Sequence, residues 1–194
     1  MAMLKAAASA VLVLLTGAPV AASVVESNER GFTVASSVLV KSDPQASWRE
    51  LVTPSAWWSS AHTWSGSAAN LSLDPGAGGC FCEKWDSRKP DNGPAVRAGS
   101  AEHMRVIYAE PGSTLRMAGA LGPLQTEALR GTLTVHIKPA QGGSLISWEY
   151  VVGGYMRFKP EAIAPAVDKV LSEQFAALAT RLGPAPQPSN EPVH

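Results

Sequence analysis

Cys80 and Cys82 are the only cysteines of the chain, one residue apart behind a glycine cluster in Gly76-Ala-Gly-Gly-Cys-Phe-Cys-Glu-Lys-Trp85. Two thiols at that spacing can close a disulfide, supply half of a metal site, or pack as two small apolar side chains on a strand. On a regular strand their Cα atoms stand about 6.6 Å apart, at the long edge of what a disulfide spans, so bridging them bends the strand or needs a bulge. A metal ion needs two further ligands, and no spacing in the chain supplies them. Two buried free thiols therefore rank first, a redox-labile disulfide second and a metal site a distant third.

The other residue types that carry chemistry form no recognisable constellation. His62, His103 and His136 are scattered, with no H-x-x-x-H or H-E-x-x-H pair to hold a metal on one element. His103 and His136 fall on the expected polar faces of their strands. There is no G-x-S-x-G elbow, no phosphate loop and no paired-carboxylate signature. No cofactor is expected and no catalytic residue can be named. An acid or base such as Glu149, Arg105 or His136 would have to project into a cavity, whereas each fits a surface or strand-face position better.

The elements that position these residues begin after an N-terminal segment of a different kind. Lys5 precedes an uncharged apolar run from Ala6 to Leu15, followed by Thr16-Gly-Ala-Pro-Val-Ala-Ala22. This pattern reads as a secretory signal peptide cleaved after Ala22, because the run is shorter than the roughly 20 residues a spanning helix needs. An exported chain is expected, in a bacterial periplasm or secreted, with no integral membrane segment after signal removal. Export favours oxidised thiols, which weighs on the cysteine question from the other side. Removing residues 1–22 leaves 172 of the 194 residues, with 15 Lys and Arg against 16 Asp and Glu. That balance gives no electrostatic case for nucleic acid or an anionic membrane surface. The length fits one domain over residues 23–183, expected to be monomeric, before a Pro-rich tail over 184–194 that reads as disordered.

Within that domain, Phe32–Lys41 is rich in β-branched residues and reads as a strand. Asp43 and Pro44 then provide an N-cap and a first helical residue for a short helix to Val52, and Thr53-Pro54 starts a second short helix through Trp57-Trp58. From Ala69 the period changes to two, with strands expected at 69–73, 80–85, 103–110, 114–121, 130–139 and 145–152, separated by Pro-Gly and Gly-Gly turns. A polar loop spans 86–100. The strongest periodic signal comes last: Ile163, Val167, Val170, Leu171, Phe175, Leu178 and Leu182 share one face, which predicts a helix over 165–182 about 27 Å long.

A strand, two short helices, six antiparallel strands and one long C-terminal helix is the element order of the START-like, helix-grip fold. The local sequence agrees. Ser47–Trp64, SWRELVTPSAWWSSAHTW, resembles the W-x-x-L-T-x-P-x-x-x-x-W-W segment of SRPBCC proteins related to polyketide cyclases and to homologues of the heat-shock ATPase activator. LSLDPGAGGCFCEKW and EHMRVIYAEPGSTLRM resemble hairpins of the same family. The resemblance implies an α+β fold in which a curved antiparallel sheet of about seven strands wraps the C-terminal helix over an internal cavity. It also implies a hydrophobic small molecule as the partner, lipid-like or polyketide-like. The signal peptide makes a heat-shock-protein partner unexpected here.

Strand alternation nominates Trp85, Tyr108, Met117, Trp148 and Tyr150 as cavity lining, to which Trp58 and Trp64 at a pocket mouth and Phe175 of the helical stripe are added. Most inward residues of such a sheet are plain core, but the Trp and Tyr residues join an apolar body to a polar handle that can meet a ligand group. The expected function is an exported binding protein for an apolar or amphipathic molecule. A cyclase-like or aromatase-like enzyme using the same cavity, and a protein-interaction module, are the competing classes.

Overall fold

The structure is a computed structural model and describes residues 23–87 and 97–185. The signal-peptide reading of residues 1–22, most of the polar loop and residues 186–194 of the tail lie outside the described residues.

Eight antiparallel strands form one sheet: β1 (Ser23–Asn28), β2 (Gly31–Val40), β3 (Leu71–Leu73), β4 (Cys80–Trp85), β5 (Gly99–Glu110), β6 (Thr114–Gly119), β7 (Leu129–Ala140) and β8 (Gly143–Gly154). Their order across the sheet is β1-β2-β8-β7-β6-β5-β4-β3. Among the described residues, only the connection from β2 to β3 crosses the sheet; helix α1 (Pro44–Leu51) and three short 3₁₀ turns at 54–56, 60–62 and 68–70 lie on that crossing. Helix α2 (Pro160–Leu182) closes the chain and packs on β1 and β2. This is a helix-grip arrangement with one strand more than expected. The additional strand is β1, which pairs with β2 through a tight turn ending at Gly31. Gly31 has φ +150°, and a Cβ there would collide with the Val152 carbonyl of β8. Only glycine lets the hairpin lie that close to the sheet.

Alternation along β2, β7 and β8 sends one face inward. Val34, Val38, Val135, Ile137, Ile146, Trp148 and Tyr150 are all buried there. The C-terminal half of α2 covers this face with Leu171, Phe175, Leu178 and Leu182, and Trp148 stacks on Phe175 with ring centroids 4.9 Å apart. The helix starts at Pro160, earlier than the sequence pattern indicates, and carries Pro165 in its interior. Pro160 occupies the first helical position, where a missing N–H costs nothing. Pro165 leaves only the carbonyl of Glu161 unpaired, and Glu161 is exposed to water.

Helix α1 begins as expected, with the Asp43 carboxylate accepting from the Ala46 amide at 2.8 Å. The hydrogen bond from Ala46 holds the Asp43 carboxyl below the usual value. Beyond α2, Pro184 bridges to Val40 and the Ala185 amide donates to the Leu39 carbonyl.

Candidate functional site

The two ladders of β5 are irregular, and those irregularities build the site. Against β4, Phe81 faces Met104 while Cys82 faces Glu102, so His103 is an extra residue in the ladder. Against β6, Val106 faces Met117 while Tyr108 faces Arg116, which leaves Ile107 as a second extra residue. Each bulge shifts the side-chain phase by one. The first turns His103 inward beside Met104, and both are buried. The second turns Tyr108 outward, where it is 45% exposed and lies under the Arg116 guanidinium at 5.7 Å. Two expectations from strict alternation are thereby corrected: His103 is not on a polar face, and Tyr108 does not line a cavity.

Cys80 and Cys82 flank the same irregularity on β4 and are joined as a disulfide, with Cα atoms 5.3 Å apart. The preference for two free thiols is overturned. A regular strand holds such a pair too far apart, and here the disturbed ladder lets β4 shorten between them. Phe81, between the two cysteines, points inward and packs against Trp58 at 5.3 Å and the His103 ring at 5.1 Å.

A cavity of about 280 Å³ opens beside these rings. Its walls are Trp58, Ala61 to Trp64, His103, Leu121 to Pro123, and the face of α2 that carries Ile163, Ala166, Val167, Val170 and Leu171. The apolar stripe of α2 thus divides in two: its C-terminal half seals the core and its N-terminal half lines the cavity.

Two clamps hold the rim. On one side, the Glu83 carboxylate is buried and accepts from the Trp64 amide at 3.0 Å, the Ser65 amide at 2.5 Å and His103 Nε2 at 3.1 Å. Burial alone would raise the Glu83 carboxyl, but these hydrogen bonds outweigh it and hold the group below the usual carboxylate value. Burial also holds the His103 imidazole below its ordinary value, with Glu83 opposing that shift. On the other side, Glu127 accepts from the Arg157 amide at 2.6 Å and from its guanidinium, fixing the 3₁₀ turn Gly122–Thr126 to the segment that leads into α2. Trp64 Nε1 donates to Gln125 Oε1 at 3.1 Å, joining the two sides across the mouth. Gln174 of α2 is buried and takes the Ser59 amide at 2.7 Å, which docks the tryptophan segment on the helix.

Of the expected lining residues, Trp58 and Trp64 stand on the cavity wall. Met117, Trp148, Tyr150 and Phe175 belong to the packed core instead. Tyr150 is wholly buried against Gly131, where a Cβ would meet its ring, and burial pushes its phenol upward. Trp85 sits at the end of β4 and donates to the Arg97 carbonyl at 2.9 Å. Arg105 and Glu149 are exposed, and His136 bonds Thr114 at 3.0 Å. None of these three lines the cavity. Glu83 was missed by sequence reasoning although alternation places it on the same face of β4 as Phe81, and a carboxylate at an inward strand position is the available signal. Among the described residues, no group of three or more His, Cys, Asp or Glu is placed to hold a metal ion, and no helix is long and apolar enough to cross a membrane.

No protein-family model matches the chain, and no curated protein matches it. Solved structures do. Mll3558 protein from Rhizobium loti superposes with a TM-score of 0.52 at 17% identity, covering 85% of this chain and 100% of its own. Protein MLL2253 from Mesorhizobium loti gives 0.51 at 19% identity, over 76% and 94% of the two chains. CalU16 from Micromonospora echinospora gives 0.51 at 11% identity, over 81% and 78%. At such identities the likeness is one of fold: an antiparallel sheet with a long C-terminal helix.

Proposed function

We propose that the chain is an exported SRPBCC-like binding protein that holds an apolar or amphipathic small molecule between the N-terminal half of α2 and the tryptophan segment. The observation that carries this reading is the cavity, whose walls are almost entirely apolar and whose rim is fixed by buried hydrogen bonds. A ligand there removes apolar surface from water at about 25 cal/mol per Å² before the costs of association. The two clamps reduce those costs by ordering the walls in advance. Export agrees with the Cys80–Cys82 bridge, since disulfides persist in oxidising compartments.

A cyclase-like enzyme is the second reading, favoured by one observation: the buried Glu83–His103 pair places a proton-accepting imidazole at the cavity wall.

The binding reading is tested by titration with N-phenyl-1-naphthylamine, an uncharged dye that fluoresces in apolar surroundings. Saturable enhancement is expected with the unmodified protein, and Val167→Trp, which fills the cavity from α2, is expected to abolish it while the protein stays folded. Absence of enhancement in the unmodified protein, or enhancement untouched by Val167→Trp, contradicts the reading.

A further inference from the structure

We propose that His103 is the polar anchor of this cavity and that the occupant is a hydrophobic molecule bearing an uncharged hydrogen-bond donor, a phenol or alcohol hydroxyl, presented to Nδ1. The inference rests on the cavity-binding reading above and names the chemical class that the site selects.

Glu83 decides which ring nitrogen is available. Its carboxylate is buried, receives two backbone amides and is ionised, so it can only accept, and the His103 Nε2 at 3.1 Å must donate to it. Burial keeps the imidazole neutral, and a neutral ring that donates through Nε2 is an acceptor at Nδ1. His103 is 6% exposed, its Nδ1 has no partner among the described residues, and the residue stands on the cavity wall.

Three other side-chain donors of the wall are already committed. Trp58 Nε1 donates to the His62 carbonyl at 3.0 Å, Trp64 Nε1 to Gln125 at 3.1 Å, and Thr63 Oγ1 to the Ser60 carbonyl at 2.8 Å. His62 is also on the wall, and its Nε2 lies 3.4 Å from the carboxylate of Glu173, which is not a lining residue.

Charge excludes the alternatives. Neither Lys nor Arg is among the lining residues, and the Glu83 carboxylate lies directly behind the imidazole. A carboxylate or phosphate head group would therefore meet no cation and face a buried like charge. A wholly apolar molecule would leave Nδ1 desolvated and unpaired. A hydroxyl donor satisfies it.

Calorimetric titration with naphthalene and with 2-naphthol tests the inference, since the two differ by one hydroxyl. The unmodified protein is expected to bind 2-naphthol about tenfold more tightly, although 2-naphthol is the better hydrated of the two, and His103→Phe is expected to remove that preference. In the unmodified protein carrying ¹⁵N-labelled histidine, saturating 2-naphthol is expected to move the Nδ1 resonance of His103, and naphthalene is not. This spectroscopic arm decides the matter should the variant fail to fold. Equal affinity for the two probes, or a stationary Nδ1 resonance at saturation with 2-naphthol, overturns the anchor while leaving the cavity reading intact. Failure of both probes to bind overturns the cavity reading and the anchor with it.

Discussion

The Nε2 atom of His103 lies 3.1 Å from Oε2 of Glu83, with both side chains buried between a bulged strand and the segment that carries Trp64. One carboxylate thus orients the imidazole and, through the amides of Trp64 and Ser65, also fixes one side of the cavity mouth. Replacing Glu83 by Gln keeps the shape but sets an amide NH₂ against the backbone amide of Trp64 or Ser65, which can only donate. The expected cost is about 3 kcal/mol of stability, as a lowered urea midpoint with unchanged slope, because one buried donor loses its acceptor. An unchanged midpoint would mean that the clamp contributes nothing to folding.

Acid should weaken the protein in two steps. His103 and Glu83 both have folded values below their ordinary ones of 6.5 and 4.5, so in acid the unfolded chain takes up protons that the folded chain resists. Stability is expected to be full above the ordinary imidazole value, to fall below it as His103 protonates in the unfolded chain, and to fall again below the ordinary carboxylate value as Glu83 does. Asp43 and Glu127, also held low by hydrogen bonds, steepen the second step, while Asp168, raised by burial, opposes it. Urea unfolding across pH 8 to 4 checks this, and His103→Phe should erase the upper step.

The disulfide closes a very short loop, with a sequence separation of 2. Its contribution through the unfolded chain is correspondingly modest, about 1.5 kcal/mol. Changing both Cys80 and Cys82 to Ser should lower stability by that amount in non-reducing conditions, and reductant should lower the unmodified protein to the same level. A loss several times larger would mean that the bridge also holds the packing of Phe81 on Trp58 and His103.

The division of α2 into a sealing half and a lining half predicts unequal responses to truncation. Phe175→Ala removes a ring stacked on Trp148 in the closed core and should cost about 4 kcal/mol. Val170→Ala removes two methyl groups at a wall that already faces open space and should cost about 1 kcal/mol while weakening dye binding. Thermal unfolding of the two variants, measured side by side, separates the roles.

The sequence makes the scaffold legible because its elements follow simple periods. The stripe on α2, the Asp43-Pro44 start of α1 and the alternation of β7 and β8 each answer to one rule of burial or capping. The site is less legible because two ladder irregularities on β5 override that rule. His103 gains an inward position and Tyr108 loses one through extra residues that no local pattern marks. The cysteine pair misleads for the same reason, since its regular-strand separation does not apply beside a bulge. Strand β1 is missed because its polar residues and single-sided pairing resemble a leader segment. Trp148, Tyr150 and Phe175 show that an inward aromatic beneath the C-terminal half of α2 is core, whereas the lining lies along its N-terminal half.

The most direct test of the central claim is the mass of the purified protein, measured first in the native state and then denatured. The account predicts a native excess of one small molecule that vanishes on denaturation, alongside a denatured mass about 2 Da below the fully reduced polypeptide because of the Cys80–Cys82 bridge. An identical mass in the two states, from protein that also fails to take up an added apolar probe, would contradict the claim that this cavity holds a ligand.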